Sequence, residues 1–159
     1  MSDKPSKPVS KSRVTLTQLM LPQHANALGN VHGGVIMKMV DETAAISAMR
    51  HAQRQCVTVA VDSMTFREHV NVGELLSCTA SVNYVGRTSI EVGVTVSAED
   101  PISGTTTHTN SAYLVFVALD SANRPCPVPG LIIETQEEEQ RLQEAKERQA
   151  YRLAQRKKN

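Results

Sequence analysis

A single long segment of helical character, followed by four strand-like segments, limits the fold of this 159-residue chain more than any other feature. From Gly34 to about Arg54 the sequence has no proline and is rich in alanine and methionine, which is typical of a helix. Both flanks of this helix carry apolar residues, so it needs burial on nearly all sides. One helix cannot cover both faces of a sheet. A curved sheet wrapped around the helix is the economical solution.

The strand candidates are separated by short turns. Residues 13–21 alternate apolar and polar side chains ahead of the helix, which indicates a strand. Four further candidates follow the helix, with turns at 71–73, 86–87 and 101–104. Sequential hairpins predict a five-stranded antiparallel sheet, and therefore an α+β fold. We expect a second subunit to cover the remaining helix surface by continuing the sheet edge to edge.

The two ends of the chain differ from its centre. Residues 1–13 are polar and lack the apolar region of a secretory signal, and we predict a disordered tail. A mitochondrial presequence is less well supported, because the segment has prolines, an acid and no amphipathic pattern. Residues 14–130 form the predicted single domain. Residues 131–159 are predicted to form a polar C-terminal helix, which starts with a capping box at Thr135 and Glu138 and lies on the body, frays or lines a subunit contact.

Composition excludes several classes of function. The 17 basic and 16 acidic residues nearly cancel, and aromatic residues make up only 3%, so we expect no nucleic-acid partner. No apolar run reaches the length of a membrane span, and we expect no membrane association. Cys56, Cys78 and Cys126 are far apart, which argues against a disulfide framework or a zinc site and favours buried thiols in a reducing compartment.

Candidate chemistry is concentrated in the segment GNVHGGVIMKMVDET. Gly33 and Gly34 open the helix, and the first N–H groups of a helix can bind an oxyanion. Asp41 is an acid among apolar residues, and it is either a buried polar group with local partners or a reactive carboxylate. Asn30 is a candidate for a turn or for a site, and His32 for a helix cap or for a base.

The spacing of these residues suggests a site shared between subunits. Asp41 follows Gly34 by almost two helical turns, so both project from the same side but lie roughly 10 Å apart along the axis. They are therefore not expected to act on one atom within a single chain. A two-fold dimer can bring Asp41 of one helix close to the start of the other helix.

Four segments of the chain resemble one protein family. They are GNVHGGVIMKMVDE, MTFREHVNVGELL, YVGRTSIEV and PVPGLIIETQEEEQR, and the resemblance covers the chain from about Val14 to the last helix. In order and spacing they are similar to the hotdog-fold acyl-CoA thioesterases, and in particular to the group that contains the brain-type cytosolic acyl-CoA hydrolases and their bacterial relatives. The resemblance implies a hotdog fold, in which a five-stranded sheet wraps around one long helix.

The resemblance also implies roles for individual residues. Asp41 corresponds to the general base or nucleophile of the family, and Asn30 to its partner from the opposite subunit. The turn at Gly33 and Gly34 corresponds to the backbone N–H that polarises the thioester carbonyl. The implied reaction is hydrolysis of fatty acyl-CoA to a free fatty acid and CoA, without a metal or a cofactor beyond the CoA of the substrate.

For the CoA part of the substrate, the resemblance points to the segment YVGRTSIEV and to the helix start. The predicted substrate-binding residues are His32, Gly33, Gly34, Val35, Arg87, Thr88 and Ser89. The alternative for the first segment is an ordinary β-turn with a solvated Arg87. Arg67 and the basic stretch 148–158 are weaker candidates for phosphate contacts.

The acyl chain is expected along the helix, near Met37, Met39 or Val40, because methionine adapts to varied shapes. The resemblance further implies dimers that assemble into a hexamer, and a cytoplasmic location. Two alternatives remain within the same fold: a sensor that binds acyl-CoA without hydrolysing it, and a hydratase or dehydratase that uses His32 with Asp41.

Overall fold

A computed structural model describes residues 5–62 and 64–159, and these residues form a curled sheet around one long helix. In chain order the elements are β1 (Lys7–Pro8), β2 (Val14–Leu19), α1 (Gly33–Ala52), β3 (Gln55–Val61), β4 (Leu75–Val85), β5 (Ser89–Glu99), β6 (Thr106–Leu119), β7 (Leu131–Ile132) and α2 (Gln136–Arg156), with short 3-10 helices at Val9–Ser12 and Pro22–His24.

The main sheet has the strand order β2-β4-β5-β6-β3, and every neighbouring pair is antiparallel. This order confirms the predicted five-stranded antiparallel sheet and the hotdog arrangement around α1. β4, β5 and β6 are joined in sequence by two hairpins. β3 follows α1 in the chain and pairs with β6 at the end of the sheet opposite β2. β2 and β3 are consequently the two edge strands.

The inner face of the sheet packs on α1. Along β4, β5 and β6 the buried apolar side chains alternate with residues of the opposite face, as in the pair Val92 and Leu114. The helix contributes a row of residues four apart, in which Ala44 and Ala48 are completely buried. Alanine at these positions lets the helix approach the sheet closely, because its side chain ends at Cβ.

The predicted disordered tail, residues 1–13, is wrong for the part that the structure describes. β1 pairs in parallel with β7, and Val9 is only 3% exposed. Ser12 is fully buried, and its hydroxyl donates to the carbonyl of Val9 and accepts the N–H of Val82. The buried side chain of Val9 and the two hydrogen bonds of the Ser12 hydroxyl thus hold this segment on the body of the protein. Its polar composition alone had indicated disorder. Residues 1–4 lie outside the described part.

The C-terminal helix α2 lies on the outer face of the sheet. Its first turn confirms half of the predicted capping box, because the N–H of Glu138 donates to the hydroxyl of Thr135 at 3.1 Å. The carboxylate of Glu138 accepts the N–H of Glu134 at 2.7 Å, one residue earlier than a capping box requires. Ala145 is fully buried against the body. Within the described residues, neither α2 nor α1 has the length and apolar character to cross a membrane.

Candidate active site

Asp41 lies where α1 meets the edge strand β3. The hydroxyl of Thr58, on β3, donates a hydrogen bond of 2.7 Å to Oδ1 of Asp41. The Asp41 side chain is only partly buried, so its second oxygen can receive solvent or a ligand. Thr58 is a contact that the sequence did not indicate, since nothing local distinguishes it from the other threonines of the strands. The carboxylate is thus oriented by one neutral donor.

A pocket of about 410 Å³ opens beside Asp41. Its lining residues are Gly34, Met37, Lys38, Val40, Asp41, Val61, Met64 and Leu114. Most of them are apolar, so the pocket joins one carboxylate to an apolar wall. Gly34 and Asp41 both line this pocket, whereas their spacing predicted only that they project from the same side of the helix, without acting on one atom within a single chain. Of the three residues expected near an acyl chain, Met37 and Val40 line the pocket, while Met39 is buried in the core.

The helix start is capped by His32. Its Nδ1 accepts the N–H of Gly34 at 2.9 Å, and its carbonyl accepts the N–H groups of Val35 and Ile36. The N–H of Gly33 accordingly remains as the open donor among the described residues of this first turn. The ring of Phe66 lies 3.6 Å from the position that a Cβ on Gly33 would take, an ordinary van der Waals distance, so Phe66 packs beside the helix start.

The loop before the helix is organised by Asn26. Its Oδ1 accepts the backbone N–H groups of Leu28 and Asn30, at 2.9 and 3.2 Å. The carbonyl of Asn30 accepts the N–H of Asn26 at 2.7 Å, and Asn30 forms a single bridge with Asn71. Asn30 does not line the Asp41 pocket of its own chain. Asn26, which shapes the same loop, is likewise absent from the lining of that pocket.

The turn between β4 and β5 carries the predicted CoA-binding residues. Thr88 and Ser89 line a groove of about 490 Å³ on the outer face of the sheet, together with Val115, Val117 and the last turns of α2. The carbonyls of Arg87 and Thr88 accept the N–H groups of Val128 and Ala118 and hold the turn in place. The Arg87 side chain is exposed and lies outside the groove.

None of the three cysteines lines the Asp41 pocket or the outer groove. Burial raises the pKa of the Cys56 thiol to about 11, with an added contribution from Cys126, and burial likewise raises the pKa of Cys78 to about 11. Both thiols are therefore protonated and unreactive at neutral pH. Across residues 5–62 and 64–159, no three His, Cys, Asp or Glu side chains are grouped so that they could hold a metal ion.

Comparison with known proteins gives consistent matches. The model of the thioesterase superfamily matches residues 28–105. The chain is 36% identical over 142 residues to the protein VdlD of Helicobacter pylori, covering 89% of this chain and 81% of that protein. It is 36% identical over 128 residues to an uncharacterized acyl-CoA thioester hydrolase, YkhA of Bacillus subtilis, covering 80% and 74% of the two chains.

Solved structures are similar over nearly the whole chain. An apo-hexameric acyl-CoA thioesterase superposes with a TM-score of 0.91 at 37% identity, covering 96% of this chain and 97% of that one. The acyl-CoA hydrolase of Staphylococcus aureus, in complex with butyryl-CoA, CoA and CoA disulfide, gives a TM-score of 0.89 at 35% identity, covering 97% and 94%.

Variants of the S. aureus hydrolase replace an aspartate, an asparagine and a threonine by alanine. In that protein the threonine follows the aspartate by seventeen positions, which is the spacing of Asp41 and Thr58. The asparagine precedes the aspartate by fifteen positions, which is the spacing of Asn26 and Asp41.

Proposed function

Because this chain belongs to the thioesterase superfamily, and within it to the hotdog-fold acyl-CoA thioester hydrolases, we propose that it hydrolyses fatty acyl-CoA to a free fatty acid and CoA. The observation that carries this proposal is the contact between Asp41 and Thr58 at the mouth of an apolar pocket. The pocket offers a carboxylate to the thioester and an apolar wall to the acyl chain. The reaction needs no cofactor beyond the CoA of the substrate.

Asp41 acts on the thioester as a general base or as a nucleophile. As a base it takes a proton from a water molecule, the water oxygen attacks the carbonyl carbon, and the carbon–sulfur bond then breaks. The proton passes from Asp41 to the departing CoA sulfur. As a nucleophile, an Asp41 oxygen attacks the carbonyl carbon, the carbon–sulfur bond breaks, and CoA leaves as a thiolate that takes a proton from water. Water then cleaves the resulting anhydride, which releases the fatty acid and restores Asp41. Thr58 occupies one carboxylate oxygen in either case, which directs the other oxygen toward the substrate.

The helix start supplies a donor to the developing oxyanion. The sequence interpretation assigned this role to Gly34, whose N–H is taken by His32 in the free protein. The N–H of Gly33 is open and requires no rearrangement, so we favour Gly33 and retain Gly34 for a state in which the His32 ring turns away. Such a donor contributes about 100- to 1,000-fold to turnover. Because His32 is occupied by capping, its pairing with Asp41 in a hydratase has less support.

An asparagine from the partner subunit completes the proposed site. Asn30 was the residue expected for this role, and it remains a candidate. The spacing in the S. aureus variants favours Asn26 instead, which also shapes the loop that carries Asn30. Asn26→Ala and Asn30→Ala separate the two: we expect the larger loss of turnover in the Asn26 variant, with both proteins still forming dimers.

The outer groove is the proposed site for the phosphate-bearing half of CoA. Thr88 and Ser89 offer hydroxyl groups, and Arg156 of α2 lines the same groove with an exposed charge. Phosphates bind such combinations of hydroxyls and arginine. Arg87, whose exposed side chain lies outside the groove, is retained as a candidate for a phosphate contact, while His32, Gly33, Gly34 and Val35 are assigned to the thioester end.

A comparison of substrates tests this groove. Arg156→Gln should raise KM for acyl-CoA about tenfold and leave the kinetics of the corresponding acyl-pantetheine, which lacks the nucleotide phosphates, unchanged. Lys146→Gln removes an equivalent exposed charge from another turn of α2 and serves as the control. Equal effects on both substrates would contradict the assignment.

The edge strand β3 supports an oligomeric assembly. Val57 and Val59 are 43% and 53% exposed on this edge, where a second copy can extend the sheet. Several similar thioesterases are hexameric by description, so we propose a dimer through β3 that assembles into a cytoplasmic hexamer. Light scattering of the purified protein measures this directly.

The decisive experiment is hydrolysis of acyl-CoAs from acetyl to palmitoyl, followed by loss of thioester absorbance. Asp41→Asn should reduce kcat by about 100- to 10,000-fold with the fold and assembly retained. Glu42→Gln, which changes the adjacent exposed acid, should behave as the wild type. Binding of acyl-CoA without hydrolysis by the wild type would favour the sensor, and unchanged turnover in Asp41→Asn would remove Asp41 from the mechanism.

A further inference from the structure

An ion pair links α2 to the end of β3. Nη1 of Arg152 lies 2.7 Å from Oδ2 of Asp62, and both side chains are less than a quarter exposed. Asp62 directly follows Val61, the last residue of β3. The contact joins residues ninety positions apart and lies on the outer face of the sheet.

Arg152 also forms an ion pair with a second carboxylate, that of Glu91. Its Nη2 lies 3.0 Å from Oε2 of Glu91, whose side chain is 1% exposed on β5. Arg148 donates to both oxygens of the same carboxylate and stacks on the ring of Tyr113 at 3.6 Å. Burial opposes the charge of Arg148, but the hydrogen bonds and the charge of Glu91 outweigh burial and raise the pKa of Arg148. Two arginines and two carboxylates therefore form a balanced, geometrically fixed network.

The backbone at Asp62 is fixed at the same place. The N–H of Asp62 donates to the carbonyl of Tyr113 at 2.9 Å, and the guanidinium of Arg148 stacks on the ring of the same tyrosine. Asp62 is thus held through its backbone by β6 and through its side chain by α2. Beyond it, residues 64–70 leave the sheet without forming a strand.

The chain before and after Asp62 contributes residues to the inner pocket. Val61 and Met64 line the pocket that contains Asp41, and Phe66 lies against Gly33 at the helix start. The ion pair of Arg152 and Asp62 therefore lies at the point where the chain that lines the inner pocket leaves the sheet. The ion pair lies on the far side of β3 from the pocket lining, so it acts on the pocket through the backbone.

We propose that Arg152 is a positioning residue that sets the acyl-chain preference of the enzyme. Through Asp62 it places Val61 and Met64 against the acyl pocket, and through them it determines how long a chain the pocket accepts. This inference rests on the proposed acyl-CoA hydrolase function. An ion pair suits the role because it is directional, whereas apolar packing alone permits sliding.

The test compares kcat/KM for a series of saturated acyl-CoAs from butyryl to palmitoyl. Arg152→Gln and Asp62→Asn should each change the ratio of kcat/KM between the shortest and longest good substrates by about tenfold, the size expected when a pocket gains or loses room for a few methylenes. The double variant should show no larger change than Arg152→Gln alone, because Arg152→Gln already breaks the contact with Asp62 together with the contact to Glu91. Arg152→Lys keeps a cation near Asp62 and should restore much of the wild-type ratio.

The design separates positioning from direct contact with CoA. CoA is the same in every substrate, so loss of a CoA contact lowers kcat/KM equally across the series and leaves the ratio unchanged. Arg141→Gln removes an arginine whose one ion pair among the described residues is with exposed Glu137, and it should leave the ratio as in the wild type. Unaltered ratios in correctly folded Arg152→Gln and Asp62→Asn would overturn the proposal.

Hydrogen exchange provides a measurement that does not depend on turnover. The amides of residues 61–66 should exchange faster in Arg152→Gln than in the wild type or in Arg141→Gln. Unchanged exchange would overturn the positioning role even if the chain hydrolyses no acyl-CoA, and the absence of hydrolysis by the wild type would count against the proposed function alone.

Discussion

The two helices have almost the same length, 20 and 21 residues, but opposite relations to the sheet. α1 lies inside the curl, and its buried residues follow one another along most of its length. α2 lies outside, and in the described structure its fully buried apolar residue is Ala145. Its attachment depends on Arg148 and Arg152. The inner helix is therefore held by non-directional burial, while the outer helix is held by a few contacts of defined geometry.

The largest effect on stability should come from the inner face. Phe116 of β6 is completely buried, and Phe116→Ala removes most of its volume where the surroundings cannot collapse. We expect a loss of about 3–5 kcal/mol in the free energy of unfolding, measured by urea denaturation. Val117→Ala, on the outer side of the same strand, should cost clearly less. Equal losses would mean that the two faces contribute alike.

A smaller effect is expected from the outer network. Glu91→Gln removes the charge that Arg148 and Arg152 share, while it keeps the size of the side chain. Both arginines retain some solvent access, so we expect a loss of about 1–3 kcal/mol, measured as above. Glu147→Gln, at an exposed position of α2, is the control. A more stable Glu91→Gln protein would show that desolvation of the four charges outweighs their attraction.

The smallest effect concerns pH and a polar group of the inner helix. His51 is 1% exposed, its Nε2 donates to the carbonyl of Pro129 at 2.8 Å, and its Nδ1 has no partner among the described residues. Burial lowers the pKa of His51 in the folded state, and the hydrogen bond to the carbonyl of Pro129 compensates only in part. The imidazole is therefore held neutral in the core.

The sign of the pH effect follows from this lowered pKa. In the unfolded chain His51 binds a proton below a pH of about 6.5, and in the folded chain it resists that proton. The contribution of neutral His51 to the free energy of unfolding is therefore fully present above about pH 6.5. Below that pH the free energy of unfolding falls, by at most about 1.4 kcal/mol per pH unit. His51→Gln should flatten the dependence of the melting temperature on pH between 7 and 5, whereas replacement of exposed His69 should not. An unchanged slope in His51→Gln would assign acid sensitivity to other groups.

Much of the fold could be predicted because its signals are local. The composition of α1 and the alternation along β4 to β6 are properties of neighbouring residues, and they predicted the elements and the face that each side chain takes. The tail prediction was wrong because burial of Val9 and Ser12 depends on partners supplied by distant segments, Val82 among them. Composition cannot report such partners.

The candidate site shows the same division. The segment around Gly33 and Asp41 was recognisable in sequence because its residue types are unusual for a core helix. Thr58 was not, since a threonine in a strand is ordinary until a carboxylate is placed 2.7 Å away. The open donor at Gly33 also emerged only from the structure, because the His32 ring takes the N–H of Gly34.

By itself, the sequence determined the order of the elements, the apolar character of the inner face and the family to which the chain belongs. The tertiary structure decided which charges meet: Glu91 with Arg148, fifty-seven positions away, and Asp62 with Arg152. The physical reason lies in the range of the interactions. Apolar periodicity is written into neighbouring residues, whereas hydrogen bonds and ion pairs act over a few ångströms and exist only after the chain has brought distant segments together.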